Sequence, residues 1–215
     1  MKTIRQKYNR LVKRIWNHKT YDYRFNFEKA INNSRKIGLN KIDNFEIKQF
    51  QFTEEYKQDL INLILTQVYT IQNCKIEDLA LKCCFVSKDL KDYLKENFGI
   101  NSVITTGNVY VNKLQINYEP YSKLKKRLSN KNYNAPIKFH TWLTLENLDV
   151  IDLTFAPNMW LDAKMCGRNL NREDYEKIGW ISINRVDKNG AVYEPKIVGS
   201  EYFKRINIPI NIIAI

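Results

Sequence analysis

The sequence predicts an α+β fold in which N-terminal helices are followed by a mostly antiparallel β-sheet. Apolar residues recur at helical spacing through the first half of the chain, and stretches rich in β-branched and aromatic residues follow in the second half. No internal repeat or low-complexity linker divides the chain. Its 215 residues, of which 44% are hydrophobic, are enough for a single domain with a sizeable core.

The first 52 residues predict two helices and one strand. Apolar residues at helical spacing predict an amphipathic helix over residues 3–17. A second helix is predicted over residues 22–36, ending near Gly38. Residues 45–52 alternate between apolar and polar side chains, which indicates a strand.

A third helix is predicted to begin after Thr53, a preferred N-cap residue that two acidic residues follow in the first turn. Residues 76–98 predict a further helix that Gly99 ends, either unbroken or with a break before Cys83. The predicted buried stripe of the third helix consists of Tyr56, Leu60, Leu63, Ile64 and Val68.

From residue 102 the pattern changes from helix to strand. Residues 102–111 predict a strand, or a bent hairpin around Gly107 and Asn108. Two more strands are predicted at residues 138–145 and 149–154. The last strands are predicted at residues 179–184 and 191–198, joined through the turn sequence at residues 187–190.

His140 is one of two histidines in the chain, and Asp152 follows it by twelve residues. If the two strand-like segments that carry them pair as a hairpin, the alternation of side chains puts both residues near the same end of the ladder. A carboxylate there holds the imidazole in one tautomer. Asp149 is the competing carboxylate, but its place beside the turn favours a role in the turn backbone.

Two adjacent thiols, Cys83 and Cys84, lie just before a helical pattern. Helical phase puts Cys83 on the stripe of Ser87 and Leu90, whereas Cys84 shares a stripe with lysines and is predicted to face solvent. A thiol needs a nearby base or a helix N-terminus to ionise at neutral pH. Cys83 is therefore the favoured nucleophile, with Cys84 and then Cys74 as alternatives.

These groups belong to a series of motifs in chain order: Cys83-x3-Ser-x2-Leu-x3-Leu, a glycine, a strand, His140-x-Trp, and Ile-Asp152-Leu-Thr. The series resembles the papain-like and transglutaminase-like cysteine enzyme superfamily. The resemblance implies a papain-like or transglutaminase-like core with a Cys-His-Asp triad. In that triad Cys83 is the nucleophile, His140 exchanges the proton and Asp152 orients His140.

The resemblance also implies the oxyanion donors and the layout of the domain. The donors would be the backbone N–H of the nucleophile and one upstream polar side chain, for which Gln72 and Asn73 are the candidates. Residues 1–69 would form an N-terminal helical elaboration, residues 70–156 the catalytic-type core, and residues 157–215 the strands that complete the sheet.

The implied function is cysteine-dependent acyl transfer, with hydrolysis of an amide or peptide bond as the leading prediction and a transglutaminase-like transfer to an amine as its variant. The expected substrate is a peptide or protein, and the basic stretch at residues 123–138 favours an acidic one. The alternative is a catalytically inactive basic module of the same fold that binds nucleic acid or an acidic protein partner.

The chain carries a formal charge of +12, from 35 basic and 23 acidic residues. Residues 2–19 and 123–138 contain basic residues and no acidic one. Such stretches attract polyanions, including nucleic acid, in a salt-dependent way, although an ordinary solvated surface has the same composition.

No apolar run approaches the roughly 20 residues of a membrane-spanning helix, and the N-terminus lacks the apolar region of a secretory signal. We therefore expect a cytoplasmic protein without a membrane span. The four cysteines show neither a metal-binding spacing nor the density of a disulfide scaffold. Reduced thiols, no structural zinc and no cofactor are expected.

Overall fold

The structure, a computed structural model, describes residues 22–39, 42, 45–111, 114–129, 136–168, 171, 179–181 and 191–207. It confirms the α+β class, with N-terminal helices followed by an antiparallel sheet. The helix predicted at residues 3–17 and the turn predicted at residues 187–190 lie outside the described residues. No helix among the described residues is long and apolar enough to span a membrane.

Capping residues set where several of the helices begin and end. Asp22 caps the first helix and Thr53 the second, each accepting a hydrogen bond from a backbone N–H of the first turn. Gly99 ends the helix before the sheet with a left-handed φ of 66°. The described helices are α1 (Tyr23–Lys36), α2 (Glu54–Leu65), which a π-helix (Thr66–Ile71) continues, α3 (Ile76–Leu79), α4 (Cys83–Phe98), α5 (Tyr121–Ser129), α6 (Phe155–Met165) and α7 (Glu201–Arg205).

The strands form one sheet: β1 (Ser102–Val111), β2 (Leu114–Asn117), β3 (His140–Leu145), β4 (Val150–Asp152), β5 (Gly179–Ile181) and β6 (Ala191–Val198). β1 lies inside the sheet, because its residues pair with β6 along one side and with β3 and β2 along the other. β4 and β5 follow beyond β3. All these pairs are antiparallel, and β5 and β6 lie in different parts of the sheet.

Helices cover both faces of the sheet. On one face, Leu143 and Leu145 of β3 pack into a core that includes buried residues of α2, α4 and α7. On the other face, Trp142 packs with Tyr23 and Phe27 of α1. The alternation of side chains along β3 therefore divides its residues between two cores.

Gly107 allows three strands to come close at the middle of β1. It pairs with His140 of β3 on one side and with Pro195 of β6 on the other. A Cβ atom at this position would lie 2.0 Å from the carbonyl oxygen of Glu194 and 2.8 Å from the ring of Trp142. The bent hairpin that the Gly107-Asn108 sequence suggests is therefore wrong, because this glycine serves a close approach inside a continuous strand.

Two local predictions for the N-terminal part are wrong. Residues 45–52 form no strand, and their one described backbone bond to the sheet region joins Lys48 N to the Glu146 oxygen at 2.8 Å. Alternation of apolar side chains predicts extended backbone but supplies no partner strand. In α2, Leu63 and Tyr56 are exposed rather than part of the buried stripe, because a narrower face of the helix meets the core.

Replacing Gly107 with alanine should lower the free energy of unfolding by about 3 kcal/mol or more, because the new methyl group overlaps backbone atoms that cannot move separately. Gly99→Ala is the matched control. Its Cβ would meet nothing within 4 Å, so only the left-handed backbone costs energy, about 1–2 kcal/mol. Urea denaturation of both variants measures the difference, and equal losses would contradict the close approach at Gly107.

Candidate active site

An interruption between two helices places Cys83 at the start of the second one. α3 ends at Leu79, and α4 begins at Cys83. Between them Leu81 adopts a left-handed φ of 63°, and its N–H donates to Asn158 Oδ1 of α6 at 2.6 Å. Leu81 is 75% exposed, so the chain reaches the surface two residues before the thiol. The option of one unbroken helix over residues 76–98 is therefore wrong.

The first turn of α4 offers unused hydrogen-bond donors. The N–H groups of Phe85 and Val86 both donate to the Lys82 oxygen at 3.0 Å. The N–H groups of Cys83 and Cys84 make no hydrogen bond to any described residue. Free N–H groups and the positive end of the helix dipole both favour negative charge at this position.

His140 and Asp152 meet as the hairpin register requires. Leu143 pairs with Ile151, so Asp152 falls beside Trp142, and His140 lies two residues further along the same face of β3. His140 Nε2 and Asp152 Oδ2 are 2.5 Å apart, and both side chains are almost completely buried. The competing Asp149 instead lies 3.7 Å from the ammonium of Lys57.

The carboxylate of Asp152 accepts hydrogen bonds on both oxygens. Oδ1 accepts from the N–H of Thr154 at 2.9 Å, from the Thr154 hydroxyl at 3.0 Å and from the N–H of Phe155 at 3.0 Å. Oδ2 accepts from His140 and from the Tyr193 hydroxyl, the latter at 2.9 Å. Burial raises the pKa of Asp152, but the charge of His140 and these donors outweigh burial and lower it.

The thiol of Cys83 and the imidazole of His140 are close enough for each to shift the pKa of the other. Asp152 occupies Nε2, and the buried Nδ1 has no hydrogen-bond partner among the described residues, so Nδ1 is the nitrogen left to exchange a proton with the thiol. Burial lowers the pKa of His140, but Asp152 and Cys83 together raise it to about 10. Such a pair favours the thiolate and the imidazolium.

Cys84 is buried, so the prediction that it faces solvent is wrong. Helical phase gives the wrong burial for Cys84 because β3 crosses the first turn of α4 and covers it. Thr141 Oγ1 of β3 lies 3.6 Å from Cys84 Sγ, and the backbone carbonyl oxygen of Thr141 accepts a hydrogen bond from the Ser87 hydroxyl. A hydrogen bond to Cys83 raises the pKa of Cys84 well above its usual range, and burial adds to this effect. The same bond lowers the pKa of Cys83, and with His140 it outweighs the opposing effect of burial.

The remaining sequence candidates form no described hydrogen bond with these residues. The pKa of Cys74, which is partly buried, is raised by burial and by Asp78. Neither Gln72 nor Asn73 forms a hydrogen bond with Cys83 or His140. Gln72 Oε1 is buried without a described partner, and Asn73 is exposed with a φ of 50°. The other histidine of the chain, His18, lies outside the described residues.

Three contributors to the site had no hydrogen-bonding role assigned to them from the sequence. Thr154 has a recognisable signal, because an aspartate often accepts from the N–H two residues later. Tyr193 has no such signal in the sequence, since its contact with Asp152 depends on the register of β6 against β1. Tyr23 accepts a hydrogen bond from Trp142 Nε1 at 2.9 Å and so fixes the indole beside His140.

No group of three or more potential metal ligands lies among the described residues. The chemistry available here is that of a thiol, an imidazole and a carboxylate arranged in series. Comparisons of the chain with protein-family models, with curated proteins and with solved structures found no match.

The stability of the protein should depend on pH through Cys83. A thiol of the unfolded chain titrates near pH 8.5. Because folding lowers the pKa of Cys83, its thiolate contributes stability that is present above about pH 8.5 and is lost as the pH falls through the folded-state pKa. Cys83→Ser should therefore cost more free energy of unfolding at about pH 8.5 than at about pH 6.

Cys84→Ser is the control with the opposite sign. Folding raises the pKa of Cys84, so its contribution is complete below about pH 8.5 and is lost at higher pH. Urea denaturation between about pH 6 and pH 10 measures both variants, because the two effects lie on opposite sides of about pH 8.5. A cost of Cys83→Ser that is constant with pH would contradict a stabilised thiolate.

Proposed function

We propose that this protein is a cysteine-dependent acyl-transfer enzyme that hydrolyses an amide or peptide bond through Cys83, His140 and Asp152. The observation that carries the proposal is the buried pair of His140 and Asp152, joined through Nε2, with the thiol of Cys83 at the start of α4 coupled to the same imidazole. A nucleophile, a base in contact with it and a third group that orients the base are the parts of a catalytic triad.

In the first step the Cys83 thiolate attacks the carbonyl carbon of the substrate, and a C–S bond forms. The carbonyl oxygen becomes an oxyanion, which the N–H groups of Cys83 and Cys84 at the start of α4 are suited to stabilise. His140 then gives the proton on Nδ1 to the leaving amine as the C–N bond breaks. Asp152 holds Nε2 throughout, so the ring keeps its orientation.

In the second step His140, now neutral, takes a proton from water, and the resulting hydroxide attacks the thioester carbon. The C–S bond breaks, the carboxylic acid leaves, and the thiolate–imidazolium pair returns. An amine in place of water would give transfer instead. Hydrolysis is the proposed outcome because water needs no second binding site. The proposed substrate is a peptide or protein.

An acyl-enzyme should accumulate on Cys83 with a generic acyl donor such as p-nitrophenyl acetate. We expect a burst of nitrophenolate of about one equivalent per protein. Mass spectrometry should then find the acetyl group on Cys83. His140→Ala should slow the burst by roughly a hundredfold or more, because proton transfer assists both thiol ionisation and turnover.

Cys84→Ser is the matched control for this burst, because it removes the neighbouring thiol and leaves the triad residues in place. It should keep the burst, with a smaller rate because Cys84 supports the thiolate. A full burst in Cys83→Ala, or acetylation of Cys83 at the same rate in the wild type and in His140→Ala, would overturn the proposal.

A second candidate function, binding of a polyanion, is favoured by the position of exposed cations. Hydrogen bonds from Tyr121 to the Asn33 oxygen and from Tyr202 to the Leu124 oxygen join α5 to α1 and to α7. The exposed basic residues at the C-terminal end of α1 and in α5 and α7 therefore lie on neighbouring parts of the surface: Arg35, Lys36, Lys123, Lys125, Lys126, Lys204 and Arg205. Such a surface suits nucleic acid or an acidic protein.

Binding of a fluorescent oligonucleotide and of polyglutamate at several salt concentrations separates the two functions. A non-catalytic binding module should bind with an affinity that falls steeply with salt and does not change in Cys83→Ala. Lys123→Ala and Lys125→Ala should weaken this binding. A protein that shows the acyl burst and no salt-dependent binding would exclude the second function.

A further inference from the structure

Tyr193 reaches the carboxylate of the candidate triad from the far side of β1. It lies in β6 opposite Val109 of β1, and it is almost completely buried. Its hydroxyl donates to Asp152 Oδ2 at 2.9 Å. Gly107 lies two residues from Val109 on β1. Its missing side chain leaves room for Tyr193 to reach Asp152, since a side chain at position 107 would collide with Trp142.

The two oxygens of Asp152 are served by different parts of the chain. Among the described residues, Oδ1 accepts only from the turn that directly follows β4, through Thr154 and Phe155. Oδ2 accepts from His140 and Tyr193, and from no other described residue. Tyr193 is therefore the donor that shares with His140 the oxygen on which the orientation of the imidazole depends.

The ring of Tyr193 is held independently of its hydroxyl. It packs edge to face against Trp142 with ring centroids 5.0 Å apart, and against Phe155 at 6.2 Å. Both contacts involve the ring alone. A phenylalanine at this position would keep these ring contacts and remove the hydrogen bond to Asp152.

We propose that Tyr193 is a positioning residue that acts through Asp152: its hydroxyl fixes Oδ2 against His140 and helps to keep the buried carboxylate ionised. This inference rests on the proposed function, because it concerns the same triad. Without the hydroxyl, less of the negative charge of Asp152 is compensated, and Oδ2 is held less firmly against His140. Both changes disfavour the Cys83 thiolate.

The test is the rate of Cys83 alkylation by iodoacetamide between about pH 5 and pH 9, read at each cysteine by mass spectrometry. At about pH 6, Tyr193→Phe should react roughly threefold to tenfold more slowly than the wild type, and the rates should converge at high pH where the thiol is fully ionised. A purely structural role would lower the melting temperature without moving this pH profile.

Tyr110→Phe is the matched control. Tyr110 also donates to a carboxylate, Glu194 Oε2 at 3.0 Å, and it lies on β1 next to β6, but it has no contact with the triad. Its profile should equal that of the wild type. Thermal unfolding of both variants checks that they are folded.

The outcomes separate this inference from the proposed function. Reactivity at low pH that His140→Ala abolishes and Tyr193→Phe leaves unchanged would overturn the inference and keep the triad. Ordinary titration of Cys83 near pH 8.5 in the wild type, with no effect of His140→Ala, would overturn both. A shifted profile in Tyr193→Phe but not in Tyr110→Phe supports the positioning role.

Discussion

The buried contact between His140 and Asp152 is the interaction on which the rest of the site depends. Both side chains are about 1% exposed, and burying a charge is unfavourable unless it is paired and hydrogen-bonded. Each neighbouring element supplies part of that compensation. The turn after β4 donates from Thr154 and Phe155, β6 donates from Tyr193, and the start of α4 brings the thiol of Cys83. Removing either His140 or Asp152 would leave the other buried without the opposite charge and the hydrogen bond that compensate its burial.

The geometry of the sheet explains how these elements meet. β1 separates β3 from β6, and the missing side chain at Gly107 lets Trp142 of β3 and Tyr193 of β6 come into ring contact. On the other side of β3, the left-handed residue Leu81 ends one helical segment and lets α4 begin at Cys83. Asn158 of α6 holds Leu81 in this strained conformation through a hydrogen bond. Strained backbone residues of this kind cluster at functional sites. The thiol thus combines a helix N-terminus with an adjacent imidazole.

Local patterns in the sequence were sufficient for much of the fold and for two members of the site. The capping threonine at position 53, the stop at Gly99 and the hairpin that joins His140 to Asp152 all follow from interactions between near neighbours. The errors have a common origin in tertiary packing. The burial of Cys84 depends on β3 crossing α4, and the contact of Tyr193 with Asp152 depends on pairing across β1. Neither arrangement leaves a local pattern, since alternation and helical phase describe one element at a time.

The protonation state of His140 tests the central claim most directly. With only two histidines in the chain, nuclear magnetic resonance of protein labelled with ¹⁵N-histidine gives few signals, and His140→Ala identifies those of His140. A thiolate–imidazolium pair predicts that both ring nitrogens stay protonated at neutral pH and above, with a transition at about pH 10. The transition should move to lower pH in Cys83→Ala. A neutral imidazole at pH 8 that titrates near pH 6.5, as in an unperturbed histidine, would contradict the account.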